Sequence, residues 1–317
     1  MKKSKILFQT FKILIIIVSI WYIAFKVYSE KQNGLLFYEL KNYIFIDWVY
    51  LLTAIMLMPV NWILESAKFK LLVRHLQTIS LYESIKSVLS GITVSIFTPK
   101  RIGDFGGRIF ILETKNRVSG IFATLLGNLS QLLVTLTVGS ALFYIYLPMN
   151  AAFKDIDINI SIIFLITIVV IAIGLTVYFN ISKIGMLLGK LPVFKKHTDF
   201  ILFIQKYKKS ELLNYLSISF LRYVVFTFQF YLLLKFFGIE ISYFKAFIGI
   251  SQVYFIMALV PTFALGELGV RGSIGVFILG AFTTLSSGIV AASVLLWIIN
   301  LAVPAVFGTY YLSKLKY

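Results

Sequence analysis

Two six-residue stretches of this chain place an acid and an arginine four residues apart: Gly103-Asp104-Phe105-Gly106-Gly107-Arg108 and Gly266-Glu267-Leu268-Gly269-Val270-Arg271. Each follows a proline, Pro99 in the first copy and Pro261 in the second. A guanidinium matches phosphate oxygens bidentately, so Arg108 and Arg271 are candidates to seat an anionic group. Carboxyls that are freed or desolvated beside them can titrate near neutral pH, which makes Asp104 and Glu267 candidates for proton coupling. The spacing also has a simpler use. Side chains at i and i+4 meet on a helix, so each acid can neutralise its own arginine and only hold the backbone together. A catalytic role for the acids is the third option. Both copies lie between apolar stretches, and ionisable groups at lipid depth are costly enough that function is the default reading.

The residues around each pair govern its backbone. Proline removes an N–H and breaks a helix, so Pro99 and Pro261 set the breaks. Gly103, Gly106, Gly266 and Gly269 allow left-handed or closely approaching backbone. Non-helical backbone at membrane depth is tolerated only where it is buried in protein or lines a wet cavity. Each motif is therefore expected at the tip of a broken hairpin. Lys100 and Arg101 add positive charge to the first tip, as a phosphate funnel or as a topological signal. Arg222, two to three turns into an apolar run, joins the candidate binding residues, with snorkelling to the surface as the alternative. Asn128, Ser130, Gln131, Gln229, Gln252 and Asn300 read as polar glue between helices. Glu65 reads as an interfacial residue near Lys68 or Arg74.

The elements that must position these groups are membrane helices. Hydrophobic residues make up 59% of the 317, well above the roughly 45–50% of a soluble domain. Continuous apolar runs near residues 6–25, 44–64, 118–147, 160–179, 212–236 and 288–312 are long enough to span, which excludes an alternating β-barrel. Two further segments, 84–112 and 244–282, are interrupted by Pro and Gly and carry the motifs. The basic N-terminus followed by an apolar run reads as a retained helix, because no small-residue cleavage site follows.

A net charge of +17 comes from 30 Lys and Arg against 13 Asp and Glu, and most of the basic residues lie in short loops, where they set topology. No soluble module remains to bind nucleic acid. The absence of cysteine excludes disulfides and thiol chemistry, and His75 and His197 alone do not suggest a metal cluster. Neither a metal nor another cofactor is expected. The chain has no G-x-S-x-G, HExxH or Walker A motif, so catalysis and ATP-driven transport find no support.

Loop charge orients the runs. Lys2, Lys3 and Lys5 place the N-terminus in the cytoplasm; the Lys-rich 180–210 loop lands there only if the first broken segment enters and leaves on one side, and Lys314 and Lys316 only if the second does so too. Both termini are then cytoplasmic. The chain reads as one transmembrane domain, 1–317, made of two halves near 1–150 and 151–317. Each half runs helix, helix, broken hairpin, helix, and the two begin on opposite sides. That is an all-α polytopic fold of two inverted-topology repeats, each with a re-entrant hairpin; the first has too short an apolar arm to span, while the longer arms of the second also fit two full crossings. The motifs are 163 residues apart, and a second match, residues 69–74 against 230–235, is offset by 161.

At Thr98-Pro99-Lys100-Arg101-Ile102-Gly103-Asp104 with Arg108, and at Pro261 through Gly266-Glu267-Leu268-Gly269-Val270-Arg271, the chain resembles the lysylphosphatidylglycerol synthase transmembrane-region family, also called flippase-like domain proteins. The resemblance covers nearly the whole chain. It implies a bacterial inner-membrane protein that moves lipids between leaflets, with a lipid headgroup as its partner. The cargo it implies is an aminoacylated or other anionic phospholipid, or a polyprenyl-phosphate-linked lipid. Two-part members carry a soluble synthase domain that this sequence lacks, so synthase activity is not expected. A membrane-embedded transferase and an accessory subunit of an envelope enzyme are the alternatives.

Overall fold

The computed structural model describes residues 21, 48–96, 98, 102–150, 160–190, 198–260 and 264–313. The apolar run at 6–25, apart from Trp21, lies outside them, as do Pro99, Lys100, Arg101 and Pro261. The described residues are helical apart from short turns and connecting stretches, with no strand among them.

The first long helix, α1, is Trp48–Val73, and it continues past the point where charged residues suggest a stop. At about 39 Å it exceeds the ~30 Å hydrocarbon core. Two short helices follow, α2 (Leu81–Ile96) and α3 (Gly103–Ile109), then the long α4 (Arg117–Tyr146). Ser80 and Glu83 start α2 with a capping box: the Ser80 N–H donates to Glu83 Oε2 at 2.7 Å and the Glu83 N–H to Ser80 Oγ at 3.2 Å. After α4 comes α5 (Ile160–Phe179), which turns by 72° into α6 (Ile181–Gly189). A short α7 (Thr198–Gln205) leads to α8 (Lys209–Phe236). Gly238, at φ 73°, takes the left-handed position that ends α8. The last described elements are α9 (Tyr243–Leu259), α10 (Ala264–Leu279), α11 (Ser286–Trp297) and α12 (Val303–Ser313). A π-helical segment, Ile298–Ala302, joins α11 to α12. Pro304 accounts for the irregular hydrogen bonding there, because it has no N–H to offer the preceding turn.

Among the described residues, four spans are long and apolar enough to cross a membrane: α1, Thr114–Met149, α8 and Ser286–Ser313; the bent pair α5–α6 brings the number to five. Exposure agrees with composition. Leu165, Ile166 and Ile173 on α5 are more than half exposed, as side chains facing lipid should be. The 180–210 stretch, expected as loop, holds α6 and α7 instead, because its apolar residues Ile201, Phe203 and Ile204 are buried in the core.

Packing follows a paired pattern. α1 lies along α8. α2 packs on α3 and on α12; α9 packs on α10 and on α4. The α2–α12 contact is tight at Gly308, which faces the Leu89 carbonyl, and Thr93 Oγ1 donates across it to Ala305 O at 2.8 Å. The α4–α9 contact is tight at Gly139 against Phe255, and Gln252 Nε2 donates to Gly139 O at 3.0 Å. Small residues permit such close crossings, and polar side chains then bond to backbone across them. The two matched sequence stretches reach different cores: Phe69 and Leu72 sit in one cluster, Phe230 and Leu233 in the other.

One end of α1 is clamped to the start of α8. Glu211 accepts from Arg74, from His75 Nε2 at 2.9 Å and from the Lys208 backbone N–H at 2.8 Å. Partial burial first, then the charges of Arg74, Lys206 and Lys208, hold the His75 imidazole below its ordinary pKa. Well above pH 6.5 the ring is neutral in both folded and unfolded chains and adds no pH dependence. Below that, the unfolded chain takes up the proton first, so stability falls as pH drops through the folded value. Thermal unfolding at pH 7.5 and 5.5 should show a smaller acid loss for His75→Gln than for the wild type.

Candidate functional site

Asn61, Glu65 and Lys68 occupy positions i, i+4 and i+7 of α1, which puts them on one face. Glu65 is 3% exposed and Lys68 fully buried, so Glu65 does lie beside Lys68 but inside the protein, not at an exposed helix end. This corrects the expectation from sequence. The reason is supplied by other segments, which bring partners to that face. Arg108 Nη1 donates to Glu65 Oε1 at 2.6 Å, and Lys68 Nζ lies 3.0 Å from Glu65 Oε2. Arg222 Nη1 donates to the same Oε2. Arg222 therefore does not snorkel, and Arg74, offered as a partner of Glu65, is held by Glu211 instead.

The cluster extends on both sides. Arg108 Nε donates to Asp104 Oδ1 at 2.7 Å, as the i, i+4 spacing predicts for a helix starting at the motif. Lys68 Nζ also donates to Gly127 O at 3.1 Å and Ser219 Oγ at 3.2 Å. Arg222 Nη1 reaches Gln131 Oε1 at 3.3 Å, while Gln131 Nε2 donates to Ser219 O at 3.3 Å. Four helices, α1, α3, α4 and α8, are thus tied through one buried charge network. The Arg108 guanidinium also lies 5.7 Å from the Phe69 ring, and that of Arg222 5.3 Å from the Phe226 ring, within cation–π reach.

The second motif repeats the local pairing: Arg271 Nη2 donates to Glu267 Oε1 within α10. Both motifs line one cavity of about 530 Å³, together with Glu65, Arg222, Asn61 and Asn300. Aromatic side chains, including Trp62, Tyr223, Tyr254 and Trp297, line it as well. Arg222 and Arg271 each keep a buried Nε with no hydrogen-bond partner among the described residues. Each guanidinium is therefore paired with an acid, Arg271 with Glu267 and Arg222 with the shared Glu65, yet retains a donor for an anion.

The motif glycines act by proximity rather than by handedness, since Gly238 is the one glycine with positive φ among the described residues. A methyl at Gly103 would stand 2.5 Å from Val94 O, and one at Gly107 2.5 Å from Ser90 O. Gly106, expected to shape the tip, has open space around it; the close approach falls on Gly107. Gly266 and Gly269 lie inside α10, whose helix begins before the motif.

Sequence reading found Arg108, Arg222, Arg271, Asp104 and Glu267, and the fold brings all five to one cavity. It missed Glu65 and Lys68 as members, and it treated Gln131, Asn61 and Asn300 as glue or passed over them. The i, i+4, i+7 spacing of Asn61, Glu65 and Lys68 was the available signal.

Long apolar helices enclosing a charged, aromatic-lined cavity define a multi-pass helical membrane protein with a polar site at its interior. The family model of the lysylphosphatidylglycerol synthase TM region matches residues 9–308, so the chain belongs to that family. No curated protein gives a significant match to the chain.

Proposed function

We propose that this protein moves the anionic headgroup of a membrane lipid between leaflets through the cavity shared by the two motifs. The observation that carries the reading is the convergence of Asp104–Arg108 and Glu267–Arg271, from opposite halves of the sequence, on one polar cavity beside Glu65 and Arg222. Family membership and the membrane spans support a lipid-related role. Acyl tails stay in the bilayer while the phosphate competes with the acids for the arginines. Protonation of Asp104 or Glu267 weakens its hold on the partner arginine, and this is the coupling step we assign to protons. Transport, not catalysis, is the activity, and a lipid-modifying enzyme is a suitable supplier of cargo.

The architecture we assign is two inverted-topology repeats, with α2–α3 and α9–α10 as re-entrant hairpins and both termini cytoplasmic in a bacterial inner membrane. The exchange of partners supports it: α2 of the first half packs on α12 of the second, and α9 of the second on α4 of the first. A pseudo-two-fold axis requires such reciprocal contacts.

Leaflet exchange of labelled anionic lipids in proteoliposomes tests the function. Arg271→Ala and Glu267→Gln should each slow exchange about ten- to a hundredfold, since a hydrogen bond to a charged group is worth about 1.5–3 kcal/mol. Well-folded variants that exchange lipid at the wild-type rate, or a wild type that moves no anionic lipid, would overturn the reading.

A further inference from the structure

The cavity holds a second set of polar side chains that no ion pair uses. Asn61 and Trp62 line it from α1, Trp297 and Asn300 from the last span. One network fixes how the carboxamides are turned. Gln229 Nε2 donates to Ala54 O at 2.7 Å, which leaves Gln229 Oε1 to accept from Asn300 Nδ2 at 2.8 Å and from Asn61 Nδ2 at 3.4 Å. Both asparagines thus commit an amide N–H to Gln229. Both Oδ1 atoms are buried without a hydrogen-bond partner among the described residues, and so are the indole Nε1 atoms of Trp62 and Trp297. Asn61 is 1% exposed, so its free acceptor is not a surface feature. Asn300 lies in the π-helical segment Ile298–Ala302, a local irregularity of the kind often found at functional sites.

These four atoms are two acceptors and two donors, the unpaired Tyr223 hydroxyl on the same cavity wall can serve as either, and this selects a ligand chemistry. A phosphate accepts and cannot satisfy the carbonyl oxygens. An ammonium donates and cannot satisfy the indoles, and a quaternary ammonium does neither. A hydroxyl donates and accepts, so hydroxyls on neighbouring carbons answer all four atoms. The carboxylates present give an amine no seat of its own: Glu65, Asp104 and Glu267 each hold an arginine. The unpaired Nε atoms of Arg222 and Arg271 in the same cavity suit a phosphate.

We propose that Asn61, Trp62, Trp297 and Asn300 form a hydroxyl-reading subsite beside the arginines. The favoured ligand is then a phosphate ester bearing free hydroxyls, a phosphopolyol or phosphosugar, rather than an amine-bearing headgroup. This deepens the translocation reading and rests on it.

Binding to the full chain in detergent tests the subsite. With Trp21→Phe and Trp48→Phe, the indole emission comes from Trp62 and Trp297 alone, since the chain has four tryptophans. Short-chain phosphatidylglycerol should titrate that emission at a concentration at least about tenfold lower than phosphatidic acid, which has the phosphate without the hydroxyls, because a site built around hydroxyl groups discriminates against ligands lacking them. Asn300→Leu should erase the preference, so that phosphatidylglycerol binds no tighter than phosphatidic acid. Soluble glycerol phosphate, added as competitor, separates the two sources of this chemistry. Displacement shows that the headgroup suffices; displacement only by the lipid shows that the tails contribute; either supports the subsite. Equal affinity for the two lipids overturns it, and that comparison needs no Asn300 variant to fold. In proteoliposomes, equal exchange of both lipids overturns the subsite while translocation stands, whereas no exchange of either overturns translocation itself.

Discussion

Glu65→Gln should destabilise the protein by about 3–5 kcal/mol, the cost typical of breaking a buried ion pair from one side. Glu65 accepts from Arg108 on one oxygen and from Arg222 and Lys68 on the other, and its side chain is 5% exposed. Among the described members of this network, three cations face two acids, Glu65 and Asp104. Neutralising Glu65 leaves Asp104 alone against three positive charges in a site where solvent screens little. The cost is greater than for a surface pair, for which about 0–1 kcal/mol is typical. The measurement is reversible unfolding in detergent or bicelles of the wild type, Glu65→Gln, Arg222→Gln and the double variant. Removing a stranded cation relieves part of the repulsion, so the double variant should be more stable than the sum of single effects implies, by at least about 1 kcal/mol. Wild-type stability in Glu65→Gln, or simple additivity in the cycle, would show that the network is not coupled through this carboxylate.

Gly107→Ala should cost about 1–3 kcal/mol, the range for overpacking a close contact, while Gly106→Ala should be neutral or gain up to about 1 kcal/mol from helix propensity. The two residues are adjacent in sequence and share helix α3. A Cβ at Gly107 would stand 2.5 Å from Ser90 O and 2.6 Å from Gly91 Cα, both backbone atoms that cannot rotate away. A Cβ at Gly106 meets nothing within 4 Å. The consequence of Gly107→Ala extends to the site, because α2 and α3 must separate there, and the Ser87 hydroxyl bonds to Arg108 O at 2.6 Å across the same contact. Lipid exchange should therefore fall with stability in Gly107→Ala and stay at the wild-type level in Gly106→Ala. Equal effects of the two substitutions on unfolding would contradict the packing described.

The two predictions concern different parts of one design. The charge network joins helices distant in sequence, and the glycine contact sets how closely the motif helix approaches the core. Both act on Arg108, which touches Glu65 and Asp104 and whose backbone carbonyl is held by Ser87.

Much of this protein is legible along the chain. Helices long enough to span announce themselves by composition, because burial in lipid demands apolar side chains over some twenty residues. The i, i+4 spacing of Asp104–Arg108 and Glu267–Arg271 is a local property of a helix, and both pairs form as that spacing dictates. The end of α1 was not legible. Glu65, Lys68 and Lys70 read as the edge of an apolar run, yet Lys68 is buried at 0% exposure because Gly127 O and Ser219 Oγ arrive from α4 and α8 to receive its ammonium. Nor could spacing distinguish Gly106 from Gly107, since the difference is what stands opposite on α2.

By itself the sequence determined the membrane setting and the two motifs, whose spacing permits the internal pairing; all follow from local hydrophobicity and helical geometry. The tertiary structure alone decided that both motifs open on one cavity, that Glu65 joins Arg108 to Arg222 over separations of 43 and 157 residues, and that Asn61 and Asn300 share Gln229. Those are contacts between distant segments, and only the packing of whole helices fixes which side chains can satisfy a charge buried away from water.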